Sequence, residues 1–150
     1  MRFSGWAEGF GCDEHVRTMQ YDDFVRRVQE EAGLETSEEA LRLTEAVLAT
    51  LGERLYRSEQ SDLAAQLPRG IKEFLVAKQP PETTRGDVQR FSLEEFYNRV
   101  GARTGLRYAR AVEQTQAVMA VLQEAVTPGE IEDILQELPA EYQKLFERNG

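Results

Sequence analysis

Apolar residues recur along this chain at spacings of three and four, the signature of helices that bury one face. Tyr21, Phe24, Val25, Val28 and Ala32 line one side of a first helix, and Gly33 supplies its C-terminal stop. Thr36 followed by Glu39 reads as a capping box, in which hydroxyl and carboxylate each satisfy an amide left over at a helix start. Ala40, Leu43, Val47, Leu48, Leu51 and Leu55 then form the stripe of a second helix. Ser58 is placed to cap a short third helix carrying Leu63 and Leu67, with Glu59 and Asp62 near its positive end. Pro68 opens a fourth, since proline is tolerated in the first turn, and Ile71, Phe74 and Leu75 are its apolar face.

Residues 77–90 break the period with a proline pair, a threonine pair and a glycine, and read as a linker. They contain Arg85-Gly86-Asp87, taken here as a chance triplet in a turn. Beyond the linker the pattern is written again. Thr44 to Leu51 and Thr115 to Leu122 share the string Thr-x-Ala-Val-apolar-Ala-x-Leu, 71 positions apart. Ser92 and Glu95 form a second capping box, Phe96 and Val100 stand where Phe24 and Val28 stood, and Gly105-Leu106 answers Gly33-Leu34. The offset is 72 up to that turn and 71 after it, one residue lost where loop length costs little. Thr127-Pro128-Gly129-Glu130 starts a further helix with cap, N1 proline and N3 acid in one run, Leu138-Pro139 matches Leu67-Pro68, and Leu145-Phe146 matches Phe74-Leu75.

The expected fold is all-α: a helical bundle built from two pseudo-symmetric four-helix repeats. Repeat one covers 20–76 and repeat two 91–148. They share a single domain, 19–150, because one repeat alone would bury too little surface. The second helix of each repeat is expected near the centre. Residues 1–18 carry Phe3, Trp6 and Phe10 but no period of 2 or 3.6 and read as an irregular tail; a translation start at Met19 is the alternative.

Composition narrows the function classes. No apolar run approaches the roughly 18–20 residues that a membrane span needs, and the N-terminal stretch has no apolar core of a signal peptide. A soluble protein with no membrane partner is expected, cytoplasmic by default. A single cysteine, Cys12, allows no intramolecular disulfide. The net charge of −9 disfavours a general nucleic-acid binder, which needs a surplus of lysine and arginine.

Chemistry-bearing residues are sparse. Cys12-Asp13-Glu14-His15 gathers a thiol, two carboxylates and an imidazole, but His15 and Cys12 are the only residues of their types, so a His-dependent triad or a Cys₂His₂ zinc set is excluded. The pairs Asp22-Asp23, Glu30-Glu31, Glu38-Glu39 and Glu94-Glu95 fall mostly in first helical turns, where acid complements the helix dipole. Glu-x-x-His motifs for a di-metal bundle and glycine-rich phosphate loops are missing. No catalytic residue, metal site or cofactor is therefore expected. Arg99, Arg103, Arg107 and Arg110 recur at spacings of four, four and three as a locally basic stripe, joined by Arg26 and Arg27 at the equivalent place earlier. The stripe could hold an anion or a phosphate, or else pair with the abundant glutamates. Thr44 and Thr115, among apolar neighbours, are expected to bond back to the carbonyl one turn earlier.

Tyr21-Asp22-Asp23-Phe24 through Gly33-Leu34, the Ala-Val-Leu helix, Asp62-Leu63-Ala64-Ala65-Gln66-Leu67-Pro68, Phe91-Ser92-Leu93-Glu94-Glu95-Phe96 and Leu138-Pro139-Ala140-Glu141-Tyr142 together resemble the bacterial family known as domain of unknown function 2267. The resemblance covers about residues 20–147. It implies a small helical fold without an established activity, and it carries over no catalytic or ligand residue. The function expected is a non-enzymatic interaction or regulatory module that binds a protein partner or self-associates. The alternatives are anion or nucleic-acid binding through the Arg99–Arg110 stripe, and a carboxylate-based enzyme in the groove between repeats.

Overall fold

A computed structural model describes residues 19–55, 57–76 and 91–146, and every element among them is helical. In chain order these are α1 (Tyr21–Ala32), α2 (Ser37–Arg54), α3 (Arg57–Ala64), α4 (Lys72–Val76), α5 (Leu93–Thr104), α6 (Tyr108–Ala125), α7 (Pro128–Glu137) and a closing 3₁₀ helix, Ala140–Phe146. The all-α expectation is met. The tail 1–18 with its Cys12-Asp13-Glu14-His15 cluster, the linker 77–90 with its Arg-Gly-Asp triplet, and residues 147–150 lie outside the described residues.

Local signals set most of the boundaries. The Thr36 hydroxyl accepts from the Glu39 amide at 3.1 Å while the Glu39 carboxylate accepts from the Thr36 amide at 3.3 Å, closing the capping box. Gly33 and Gly105 end α1 and α5 in the left-handed region, at φ 68° and 81°, where a side chain would be strained. The box at Ser92 is only half made. Its hydroxyl caps the Glu95 amide, but the Glu95 carboxylate turns to Arg99, and Glu141 reaches the Leu93 amide from the 3₁₀ helix instead.

Three expected starts differ. Helix α3 begins at Arg57, so Ser58 lies inside it and is no cap. The carbonyls that end α2 are taken by a later side chain: Gln60 Nε2 donates to Gly52 O at 2.7 Å and to Leu55 O at 3.0 Å. Pro68 opens a single turn, with the Ile71 and Lys72 amides on its carbonyl, and α4 starts only at Lys72. Gly70 interrupts the turn at φ 96°, and a Cβ there would stand 2.7 Å from the Tyr21 ring, so the chain needs glycine to pass. After Pro139 the last segment winds as 3₁₀, its Tyr142 amide reaching back three residues to the Pro139 carbonyl.

The two longest helices, α2 and α6, touch each other and bury most of their length. Helix α1 packs on α2 and also on α6; α5 packs on α6 and also on α2. Helix α4 covers α2, the 3₁₀ helix covers α6, and α3 bridges α4 to α7. One apolar cluster runs through all of them, with Phe24, Leu48, Leu51, Phe96, Met119, Leu122 and Tyr142 fully enclosed. Each such side chain contributes roughly 1.5–3 kcal/mol relative to exposure. Helix α4 approaches α2 closely at Gly52, where a Cβ would sit 1.9 Å from the Leu75 carbonyl oxygen. Near the α2 terminus a buried polar knot holds the start of α5. Arg54 Nε and the Tyr142 hydroxyl both donate to Phe91 O, at 3.0 and 2.7 Å, and the Arg54 guanidinium lies 5.3 Å from the Tyr142 ring centre.

Candidate functional site

Helices α3 and α7 meet with their N-terminal turns close together, and the sequence puts acid in both. At the start of α7 the Thr127 hydroxyl caps the Glu130 amide at 3.3 Å, the first half of a capping box. The second half is absent: the Thr127 amide donates to Gln66 Oε1 at 2.8 Å, so Glu130 has no amide to return to. Its side chain lies inward beside Glu59 and Asp62. One carboxylate oxygen from each of the three falls within 4.8 Å of the others. Glu130 is only 7 % exposed, Glu59 is partly buried and Asp62 faces solvent. Glu130 Oε2 and Glu59 Oε1 are buried without a hydrogen-bond partner among the described residues.

Burial, followed by the charges of Glu59, Asp62 and Asp133, pushes the Glu130 carboxyl up to about 7. Burial and the charges of Asp62 and Asp133 likewise raise Glu59. The positive ends of α3 and α7 ease this crowding without cancelling it. Such a cluster can share a proton or offer oxygen donors to a hard cation. The sequence shows Glu59, Asp62 and Glu130 one helix at a time, Glu59 and Asp62 near the positive end of one short helix and Glu130 at the N3 position of another. The only local sign of their meeting was a capping box whose return bond is pre-empted by Gln66, and no periodicity reveals that.

The arginine stripe divides. Arg99 donates to Glu95 at 2.9 Å and to Glu53 of α2 at 3.1 Å, with its guanidinium 3.9 Å from the Phe91 ring centre. Arg103 joins it on Glu53 and donates to the Thr50 hydroxyl at 2.6 Å. Arg110 pairs with Glu113 on its own helix, and Arg107 is exposed at the α6 N-cap. On the other side of the bundle Arg27 grips Glu124 of α6 at 2.6 Å together with Glu30 and Glu31, while Arg26 pairs with Asp23 and Glu30. The hydrogen bonds that Arg27 donates to Glu124, Glu31 and Glu30 raise its guanidinium pKa still further. Of the paired carboxylates, Asp23, Glu30, Glu31, Glu39 and Glu95 are thus engaged in ion pairs or caps.

Thr44 donates to Ala40 O at 2.8 Å as expected, but the Thr115 hydroxyl is buried with no partner among the described residues. Thr50, not singled out from the sequence, makes the back-bond to Ala46 O at 2.8 Å.

Between α5 and α6 an open groove of about 410 Å³ is floored by Gly101, Ala102 and Gly105 and walled by Tyr97, Leu106 and Tyr108. The Tyr108 ring meets Tyr97 edge-on at 5.9 Å and is 46 % exposed, the one large hydrophobic side chain so exposed among the described residues. No described helix is long and apolar enough to cross a membrane.

A comparison with curated proteins finds no match. The model of one family, described as an uncharacterized conserved protein, DUF2267, matches residues 21–145, most of the chain. This chain belongs to the DUF2267 family.

Proposed function

We propose that this protein is a non-enzymatic interaction module that binds a protein partner at the α5–α6 groove. The observation that carries the proposal is Tyr108, an exposed aromatic ring above a floor of small residues. Tyrosine gives large contact area at small entropic cost and is enriched at interfaces. Arg107 stands exposed next to it in sequence, Arg110 is paired with Glu113, and the Glu94 charge also acts on the Tyr108 hydroxyl, so the rim carries both signs of charge. A protein segment presenting an apolar or aromatic side chain complements the exposed Tyr108 ring. The test is a photo-crosslinking residue at position 108 in the native host, read by mass spectrometry, with light scattering of the purified protein. One recurrent crosslinked partner, or a dimer, lost on Ala102→Arg is the expected result. A monomer whose crosslinks are diffuse or unchanged by Ala102→Arg would sink the proposal.

We infer further that the fold is two copies of one helical unit with their first helices exchanged. Arg27 and Arg99 stand at matching places 72 apart, Glu53 and Glu124 at matching places 71 apart. The Arg27–Glu124 and Arg99–Glu53 pairs are reciprocal under that correspondence. Helix α1 on α6 and α5 on α2 are likewise reciprocal contacts. Such exchange makes the halves interdependent, so one thermal transition is expected, and two separate transitions would refute it.

A further inference from the structure

We propose that Glu59 and Asp62 of α3 and Glu130 of α7 bind a hard divalent cation of calcium size, a site distinct from the α5–α6 groove. The donors are all carboxylate oxygens, which suit calcium, magnesium or manganese rather than thiophilic metals. They come from two helices that are themselves in contact, so the ligands are held by the packing and not by a mobile loop.

The acids alone would not carry the assignment, since solvated carboxylates gather on many surfaces. Glu130 supplies the second observation. It is 7 % exposed, its Oε2 has no hydrogen-bond partner among the described residues, and one of its carboxylate oxygens lies close to the other two carboxylates. A buried carboxylate oxygen without a donor is costly, and lone buried acids normally find an amide, hydroxyl or cationic partner. Here the amide that a capping box would provide is occupied by Gln66. Glu59 Oε1, buried and also without a partner among the described residues, doubles the unmet demand. A cation satisfies both oxygens at once and removes their mutual repulsion.

Ion size sets how far apart the donor oxygens of one shell can stand. Oxygens at calcium distances of about 2.3–2.6 Å from the metal lie at most about 4.6–5.2 Å apart across the shell, whereas magnesium at about 2.0–2.1 Å confines them to about 4.2 Å. The three oxygens all lie within 4.8 Å of one another, inside the span of a calcium shell. Asp62 is exposed, so the ion enters from its side and keeps water ligands there. Asp133, one turn beyond Glu130 on α7, adds negative charge to the approach. Occupancy would tie α3 to α7 through metal bonds, so the ion binds the folded state and stabilises it by mass action.

The test uses the full chain freed of metal with EDTA and then titrated with calcium chloride, followed by calorimetry and thermal melting. A single saturable site is expected, with Tm raised by about 5 °C or more once calcium exceeds its Kd about 100-fold. Asp62→Asn, at an exposed position that folding tolerates, should weaken binding about tenfold or more. Glu130→Gln should abolish the shift while remaining folded, because glutamine is equally suited to the N3 position. Glu38→Gln, an acid on another helix, should leave binding unchanged. No calcium effect in the parent, or an equal effect in Asp62→Asn and Glu130→Gln, overturns the site. An equal response to magnesium overturns the size assignment.

Discussion

Replacing Gly52 by alanine tests the close approach of α4 to α2. In isolation the change favours folding, because alanine is a better helix former than glycine by about 0.5–1 kcal/mol. The added Cβ would meet the Leu75 backbone oxygen at 1.9 Å and the Leu75 carbonyl carbon at 3.0 Å. Carbon to carbonyl oxygen contacts normally stop near 3.3 Å, so α2 and α4 must separate by over an ångström. Backbone cannot swing aside as a flexible side chain can, and α4 is pinned by Ile71 and Leu75, both fully buried. Overpacking of this kind costs about 1–3 kcal/mol, more than the propensity gain. A net loss of about 1 kcal/mol is expected, about 3 °C in Tm for a chain of this size. Gly129 in the first turn of α7 is the internal control, since a Cβ there meets nothing within 4 Å. Gly129→Ala should raise stability by about 0.5 kcal/mol. Urea unfolding of both variants, with unchanged m-values, measures the difference directly. If Gly52→Ala were neutral or stabilising, the α2–α4 approach described here would be wrong.

Three further outcomes are expected. Thr115→Val should stabilise by about 1 kcal/mol, since it removes a buried hydroxyl that has no partner, whereas Thr44→Val should cost about 0.5–1 kcal/mol for a lost bond to Ala40; chemical denaturation compares them. In EDTA, stability should fall as pH rises from about 4.5 to 7, because burial beside Glu59, Asp62 and Asp133 raises Glu130 to about 7 and the folded state holds that proton more tightly than the unfolded chain. The full effect is about 3 kcal/mol and flattens in Glu130→Gln, read as urea midpoints at pH 5, 6, 7 and 8. Arg99→Ala should cost about 1–2 kcal/mol through its two glutamates and the Phe91 ring, against about 0.3 kcal/mol or less for Arg26→Ala, whose pairs are more than half exposed; equal losses in a thermal melt would contradict the difference in setting.

What the sequence made legible was local. Gly33 and Gly105 stop their helices, Thr36-x-x-Glu39 closes its box, and the apolar stripes of α2 and α6 enter the core, because each follows from neighbours within a turn or two. Pro68 and Ser58 misled for the same reason. Each is a sound helix start by itself, and each was overruled by a contact from farther away, Gly70 against Tyr21 and Gln60 on the end of α2. The acid cluster was invisible for a stronger reason. Glu59 and Glu130 are each the residue a first turn would choose, and Asp62 is an acid on an exposed face, so their type carried no surplus information. Only the packing of α3 on α7, and the diversion of the Thr127 amide to Gln66, sets them face to face. The arginine stripe shows the reverse: periodicity found Arg99, Arg103, Arg107 and Arg110 correctly on one helix pair, but could not say that Glu53 of α2 stands opposite two of them.

The pairing of α1 with α6 also sets a timetable for synthesis. Arg27 and Glu124 meet across 97 positions of chain. At about 5–20 residues per second, a ribosome needs about 5–20 s after finishing α1 to make the helix that covers its far side. For that interval the part of the face formed by Phe24, Val25 and Val28 that α6 later covers is left to water or to a chaperone, and α2 alone can shelter the rest. Slowing translation between residues 77 and 90 lengthens the exposure, so nascent-chain solubility, more than the stability of the finished bundle, is where this topology exacts its cost.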